Sequence, residues 1–212
     1  MQKQIRTFGM TIAAIAGIAV VLGCSSGDGV IGKEGEPPVT HMAVIKTSMG
    51  DIEVELYGED APKTVANFVG LADKKFYDGI LFHRVVPGFV IQAGDPKTKN
   101  EALKGEWGTG GESIYNGRFP DELNPAAISY QHGYKEGVLA MANAGPNTNT
   151  SQFFIMLADN TTLPKNYTIF GRVTKGLDIV HKIEGVALGD KSQPKVPVKI
   201  LSVRPWALHT SR

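Results

Sequence analysis

The chain has 212 residues, with 22 Lys and Arg against 21 Asp and Glu, which leaves neither the basic stripe of a nucleic-acid binder nor an acidic tail. Hydrophobic residues make up 42%, enough for one packed domain, and 25 glycines with 12 prolines favour a turn-rich β fold over a helical bundle. The single cysteine, Cys24, excludes an internal disulfide.

Lys3 and Arg6 precede an uncharged run from Met10 to Leu22. Its 13 residues are too few for a membrane span of about 20 and have the shape of a signal-peptide core. The following Val21-Leu22-Gly23-Cys24 resembles a bacterial lipobox, with Val21 where leucine is commoner. That resemblance implies removal of residues 1–23 as a lipoprotein signal peptide and acylation of Cys24; the alternative is a short anchor left uncleaved. Residues 24–40 are rich in Ser, Gly, Glu and Pro and have no apolar period, as in a flexible tether. Together these features predict a domain lipid-anchored to a membrane outside the cytoplasm, on the periplasmic side if the cell has an outer membrane.

The folded domain is expected over residues 41–207, with a tail at 208–212. Met42–Ser48 and Asp51–Tyr57 flank Met49-Gly50 as an opening hairpin, with Ile52, Val54 and Leu56 alternating against acids. A helix follows, with Asp60 as its expected cap, Pro62 in the first turn, and Val65, Phe68, Val69 and Ala72 at helical spacing. Leu81–Val86 and Phe89–Gly94 read as strands across a Pro87-Gly88 turn. Lys97–Pro125 has no period and many turn residues, the pattern of a long functional loop. Strands are predicted again over 137–145, 151–157, 169–173 and 196–206, and a second short helix over 177–185. About eight strands and two helices argue for an antiparallel sheet closed as a barrel.

Arg84 is out of place in an apolar strand, because a guanidinium is costly to bury without a partner. Strand parity suggests what it faces. Val90 and Gln92 share one face, and Ile91 and Ala93 the other; Gln152 and Phe154 share one, and Phe153 and Ile155 the other. The purely apolar faces read as core, and the faces that mix an amide with an apolar group read as a groove.

The stretches FHRVVPGFVIQAGDP (Phe82–Pro96), GTGGESIY (Gly108–Tyr115) with FPDE after it, MANAGPNTNTSQFF (Met141–Phe154) and IFGRV (Ile169–Val173) resemble the cyclophilins in order and spacing. The resemblance implies a mostly β fold, a closed eight-stranded antiparallel barrel with two capping helices, and peptidyl-prolyl cis–trans isomerase activity. It implies Arg84 as the catalytic residue and Phe89, Val90, Phe154 and Leu163 as the lining of a proline pocket. Gln92, Asn143 and Gln152 would bind or order the substrate backbone with Ala142 beside them, and Gly108 and Thr109 would border the site. Two positions depart from the commoner eukaryotic pattern: Thr162 stands where many members have tryptophan, and Tyr167 where histidine is common. The first predicts weak cyclosporin binding. The expected partners are proline-containing unfolded or flexible chains, and a monomer is expected. A non-catalytic chaperone or scaffold module that holds proline segments is the alternative.

Rotation about a peptide bond needs no cofactor, metal or proton relay. The five histidines have no ligand spacing, and His83 should point away from Arg84 into packing. GTGGES lacks the strand-then-helix setting of a phosphate loop. Asp121 and Glu122 are assigned to loop hydrogen bonding.

Overall fold

A computed structural model describes residues 34–208. The predicted signal peptide, Cys24, most of the tether and residues 209–212 of the tail lie outside the described residues.

Eight strands form one sheet: β1 His41–Thr47, β2 Gly50–Leu56, β3 Arg84–Val86, β4 Val90–Ala93, β5 Val138–Met141, β6 Phe153–Met156, β7 Ile169–Lys175 and β8 Ile200–Ala207. Their order is β3-β4-β6-β5-β7-β2-β1-β8, and every pairing is antiparallel. The ladder begins at β3 and ends at β8. The segment leading into β3 nonetheless bonds to the entry of β8: Gly79 N donates to Ile200 O at 2.8 Å, Phe82 N to Val198 O at 2.9 Å and Ile200 N to Ile80 O at 2.8 Å. These bonds link the two ends of the curled sheet through the segments that precede β3 and open β8.

One face of the sheet carries the main core. Ile45, Ile52, Leu56, Ile91, Phe153, Ile155 and Phe170 pack there with Phe68 of helix α1 (Pro62–Asp73) and with Tyr77. Phe68 meets Tyr77, Phe153 and Phe170 with ring centroids 5.1, 5.6 and 5.4 Å apart. Truncating such a ring to alanine would cost about 3–5 kcal/mol. A smaller cluster on the opposite face holds Val90, Ala140, Phe154, Met156 and Ile169, with Phe89, Leu163 and Tyr167 packed against it. The parity reading of β4 and β6 is therefore realised: Ile91, Ala93, Phe153 and Ile155 go to one cluster, Val90 and Phe154 to the other.

Two expectations are corrected. Beside α1 and α3 (Leu177–Glu184), the described residues contain a third, five-residue helix α2 (Ile128–His132) and 3-10 turns at Pro96–Lys99 and Glu101–Glu106 inside the predicted irregular loop. Asp60 does not cap α1. Its Oδ2 accepts from Ser129 N at 2.8 Å instead. The open N–H groups of α1 are met from 58 and 59 residues away by Glu122, whose Oε1 and Oε2 accept from Lys63 N and Thr64 N at 2.9 Å each. A carboxylate at a helix N-terminus satisfies both the orphan donors and the dipole. Glu122 thus takes the loop role expected of it, as does Asp121, which accepts from Asn147 N at 2.8 Å and Asn149 Nδ2 at 2.7 Å.

Candidate active site

The groove is built on β3, β4 and β6. Val86, Pro87, Gly88 and Phe89 form a tight turn in which Phe89 N donates to Val86 O at 2.9 Å and Gly88 has φ +69°. Proline at the second position and a left-handed glycine at the third define a type II turn. The turn swings Phe89 over the end of β4. Leu157 N then donates to Phe89 O at 2.8 Å and ties the turn to the end of β6.

A pocket of about 210 Å³ opens beside it, lined by Arg84, Phe89, Val90, Gln92, Ala142, Asn143, Phe154, Leu163 and Tyr167. All nine were singled out in the sequence. Phe89, Val90, Phe154 and Leu163 form the apolar part. Tyr167 stands edge-on to Phe154 with ring centroids 5.6 Å apart. Its position is fixed by Tyr134, whose hydroxyl donates to Tyr167 O at 2.9 Å and accepts from Tyr167 N at 3.0 Å. Leu163 N and Thr162 N donate to Asn160 Oδ1 at 2.8 and 3.0 Å, which curls the loop inward at Leu163 and leaves Thr162 exposed.

Arg84 is half-buried at the polar rim. Its Nη1 donates to Gln92 Oε1 at 3.2 Å, Gln92 Nε2 donates to Gln152 Oε1 at 2.9 Å, and Gln152 Nε2 donates to Gly108 O at 3.0 Å and Gly110 O at 2.6 Å. Gly108 and Thr109 do not line the apolar pocket. They border an adjoining cleft of about 500 Å³ together with Gly110, Gly111, Arg118, Thr148, Thr150 and Gln152, and Gln92, Ala142 and Asn143 are shared by both cavities. The side chain of Asn143 is committed to its own loop: Nδ2 donates to Asn166 O at 2.9 Å and Oδ1 accepts from Gly145 N at 3.2 Å. These two bonds fix the side chain and leave the Asn143 backbone, one Nδ2 hydrogen and one Oδ1 lone pair for a ligand.

Several supporting residues had escaped the sequence reading. Asp95 is fully buried and accepts from Lys97 N at 2.8 Å, Gly108 N at 2.6 Å and Gly110 N at 3.1 Å, which pins the glycine loop against the end of β4. Gly110 has to be glycine because a Cβ there would collide with Asp95 Oδ1. Asn67, buried in α1, donates to Thr150 O at 2.8 Å and accepts from Ile114 N at 2.9 Å, so it fastens both loops of the larger cleft to the helix. His83 is buried, as expected, and burial lowers its pKa below the ordinary value, which keeps a second positive charge away from Arg84.

The arrangement is a permanently charged donor, orientated by an amide chain, at the lip of a small apolar pocket. It can grip a compact apolar ring and present an N–H to an atom beside it. It contains no nucleophile paired with a base.

Comparison with known proteins agrees in extent and in kind. The family model described as cyclophilin type peptidyl-prolyl cis-trans isomerase/CLD matches residues 42–205. A peptidyl-prolyl cis-trans isomerase of Schizosaccharomyces pombe is 46% identical over 157 residues, covering 74% of this chain and 94% of the relative. One of Arabidopsis thaliana is 42% identical over 171 residues, covering 81% and 95%. The crystal structure of a Cryptosporidium parvum cyclophilin type peptidyl-prolyl cis-trans isomerase superposes with a TM-score of 0.69 at 32% identity, covering 82% of this chain and 99% of that one. The same isomerase in the presence of the dipeptide Ala-Pro gives a TM-score of 0.68 at 33% identity, with 80% and 99% covered.

Proposed function

The chain belongs to the cyclophilin-type peptidyl-prolyl cis-trans isomerase family, and from that premise we propose that Arg84 and the pocket beside it turn X-Pro bonds in unfolded or flexible chains of the cell envelope. The barrier to this rotation is about 18–20 kcal/mol because the amide is conjugated, which at the upper value gives roughly 0.01 events per second. The enzyme has only to ease the loss of conjugation. Phe89, Val90, Phe154 and Leu163 hold the proline ring, and the preceding residues extend toward the larger cleft past Asn143, Gly108 and Thr109. As the prolyl nitrogen becomes pyramidal it regains a lone pair. An N–H of Arg84 donates to that lone pair in the transition state and not to the planar ground state, which is the condition for acceleration. A preorganised donor worth about 3 kcal/mol gives roughly a hundredfold gain.

The observation that carries this reading is the amide chain from Arg84 through Gln92 and Gln152 to the glycine loop, which fixes one guanidinium nitrogen and leaves other donors for substrate. The backbone bonds that join residues 79–82 to 198–200 support a closed barrel beneath the groove. The charged start, short apolar run and lipobox-like Val21–Cys24 support acylation of Cys24 and a tethered domain working outside the cytoplasm. The decisive measurement is NMR exchange on a short X-Pro peptide with the full chain and its Arg84→Ala variant. At least tenfold loss of rate in a folded variant is expected. Equal turnover would remove Arg84 from the mechanism, and no turnover by either protein would favour the non-catalytic binding module.

A further inference from the structure

Behind the turn that carries Phe89 lies a chain of three charged side chains outside the groove. Glu184, the last residue of α3, accepts from Gly88 N through Oε1 at 2.7 Å. Its Oε2 lies 2.7 Å from His181 Nδ1, and His181 Nε2 lies 2.9 Å from Oε1 of Glu136, on the turn that precedes β5. The backbone N–H of Glu136 donates to Asp159 Oδ1 at 3.0 Å. Asp159 stands at the start of the loop that bears Leu163 and Tyr167, and Lys135 pairs with its other oxygen at 2.9 Å. Both walls of the proline pocket, Phe89 on one side and Leu163 on the other, are thus joined on the outside through His181.

Two features give this chain a consequence for the pocket. The N–H that Glu184 holds belongs to the Pro87–Gly88 peptide, the central peptide of the type II turn. Type I and type II turns differ chiefly in which way that peptide faces. A fixed acceptor at 2.7 Å selects one orientation immediately ahead of Phe89. His181, in turn, lies between two carboxylates, both of which only accept. Neutral imidazole has one N–H; only the imidazolium has two. Distances of 2.7 and 2.9 Å at both ring nitrogens are therefore the geometry of the charged ring. When the ring loses a proton, one nitrogen faces a carboxylate lone pair to lone pair, and one of the two links has to open.

We propose that Glu184 is a positioning residue for the proline pocket, holding the Pro87–Gly88 peptide ahead of Phe89, and that the charge on His181 governs how firmly it does so. This rests on the isomerase reading of the groove. The bond to Glu184 is the largest influence on His181 and raises its pKa above the ordinary value; burial opposes it next in size, and the bond to Glu136 and the charges of both carboxylates add to the rise. Glu184 is held below its ordinary value by His181 first and by Gly88 N next. The fork is consequently complete between the depressed value of Glu184 and the raised value of His181. The hold on Gly88 weakens as pH climbs through the raised histidine value, and weakens again in acid as Glu184 takes a proton. Two lysines beside the fork in the sequence have partners of their own: Lys182 pairs with Asp178, and Lys135 with Asp159.

The test uses the full chain, with His181→Gln and Glu184→Ala, followed by two readouts. In wild type the Gly88 amide resonance should titrate with the midpoint of the His181 ring, and in His181→Gln that titration should vanish. In peptide turnover, KM of wild type should rise about threefold as pH passes through that midpoint with kcat within twofold, whereas His181→Gln should lack this step. Glu184→Ala should show the raised KM at every pH. A Gly88 resonance indifferent to His181, or matching KM profiles in wild type and His181→Gln, would overturn the proposal even if Glu184→Ala failed to fold. Absence of turnover in wild type at all pH values would instead strike the isomerase reading, and the Gly88 titration would still decide the link.

Discussion

Gln92 and Gln152 are hydrogen-bonded in one sense only: Nε2 of Gln92 donates to Oε1 of Gln152 at 2.9 Å. The two ends of the chain impose this direction. Arg84 has donors and no acceptor, so Gln92 must turn its oxygen toward Nη1. Gly108 O and Gly110 O are acceptors only, so Gln152 must turn its NH2 toward them. With both ends satisfied, the central bond can run only from Gln92 to Gln152. An amide flipped at either position would set like against like in a half-buried site.

This polarity makes Gln92 the residue that aims Arg84. Gln92→Leu keeps much of the volume but removes the acceptor, and a hydrogen bond to a charged group contributes about 1.5 kcal/mol or more. We expect kcat/KM on an X-Pro peptide to fall roughly tenfold, by the usual 1.36 kcal/mol per decade, with a modest fall in thermal midpoint because Oε1 of the buried Gln152 loses its donor. Arg84→Lys should fare poorly too, since an ammonium cannot bond Gln92 and reach a substrate nitrogen in the same fixed plane. Wild-type activity in Gln92→Leu would show that the guanidinium is held by something other than the amide chain.

Glu122 offers a separate test of what holds the scaffold. Both of its oxygens bond the first turn of α1, at Lys63 N and Thr64 N, across nearly 60 residues of chain. Glu122→Ala opens two helix donors, one of them on the buried Thr64. The expected loss is about 1–2 kcal/mol, similar to deleting a helix cap. It should appear as a lower urea midpoint with an unchanged slope. An unmoved midpoint would mean that water replaces the carboxylate at no cost.

The same residue marks where sequence reading fails. Asp60 stands in the local position for a cap, but the bond is made by a residue that only the folded chain brings near, because Asp60 is engaged by Ser129 N. Asn67 and Asp95 were passed over for a similar reason. Asn67 sits in an apolar helix and Asp95 in a turn after β4, and only the loops each anchors reveal its use. Local signals were otherwise strong. Two-residue parity in β4 and β6 separated core from groove without any long-range information, since alternation is a property of one strand. The Pro87-Gly88 pair announced its turn through the fixed φ of proline and the left-handed freedom of glycine. The larger cleft was less legible. Arg118, Thr148 and Thr150 reach it from loops, where no period relates spacing to direction.

The Cys24 proposal makes a prediction at the other end of the chain. Expressed in a bacterium, the protein should be cut before Cys24 and carry acyl chains there, so that it partitions with membranes. Cys24→Ser should remain uncut or be mislocalised. Intact mass of the purified wild type decides the matter: a chain without lipid at Cys24 sinks the anchor, whatever the isomerase assay shows.

Cyclosporin provides a probe that separates drug binding from turnover. In cyclophilins with tryptophan at the position of Thr162, the indole offers a large apolar face and one N–H donor. Thr162 is exposed and its Oγ1 is turned to Asn160 Oδ1 at 3.0 Å, away from the pocket lining. Loss of an aromatic contact and one hydrogen bond is on the order of 2–4 kcal/mol, about thirtyfold or more in affinity. Inhibition of this protein should be correspondingly weak. Thr162→Trp should restore sensitivity, and the loop should tolerate it, because Leu163 N holds Asn160 Oδ1 at 2.8 Å without help from the threonine side chain. Peptide turnover, which draws on Arg84, Phe89, Phe154 and Leu163, should stay within a few fold. The comparison needs inhibition curves for both proteins on one peptide. If wild type is inhibited as tightly as Thr162→Trp, another residue of the loop Asp159–Tyr167 supplies the missing contact; Tyr167, already edge-on to Phe154 at 5.6 Å, is the first to replace.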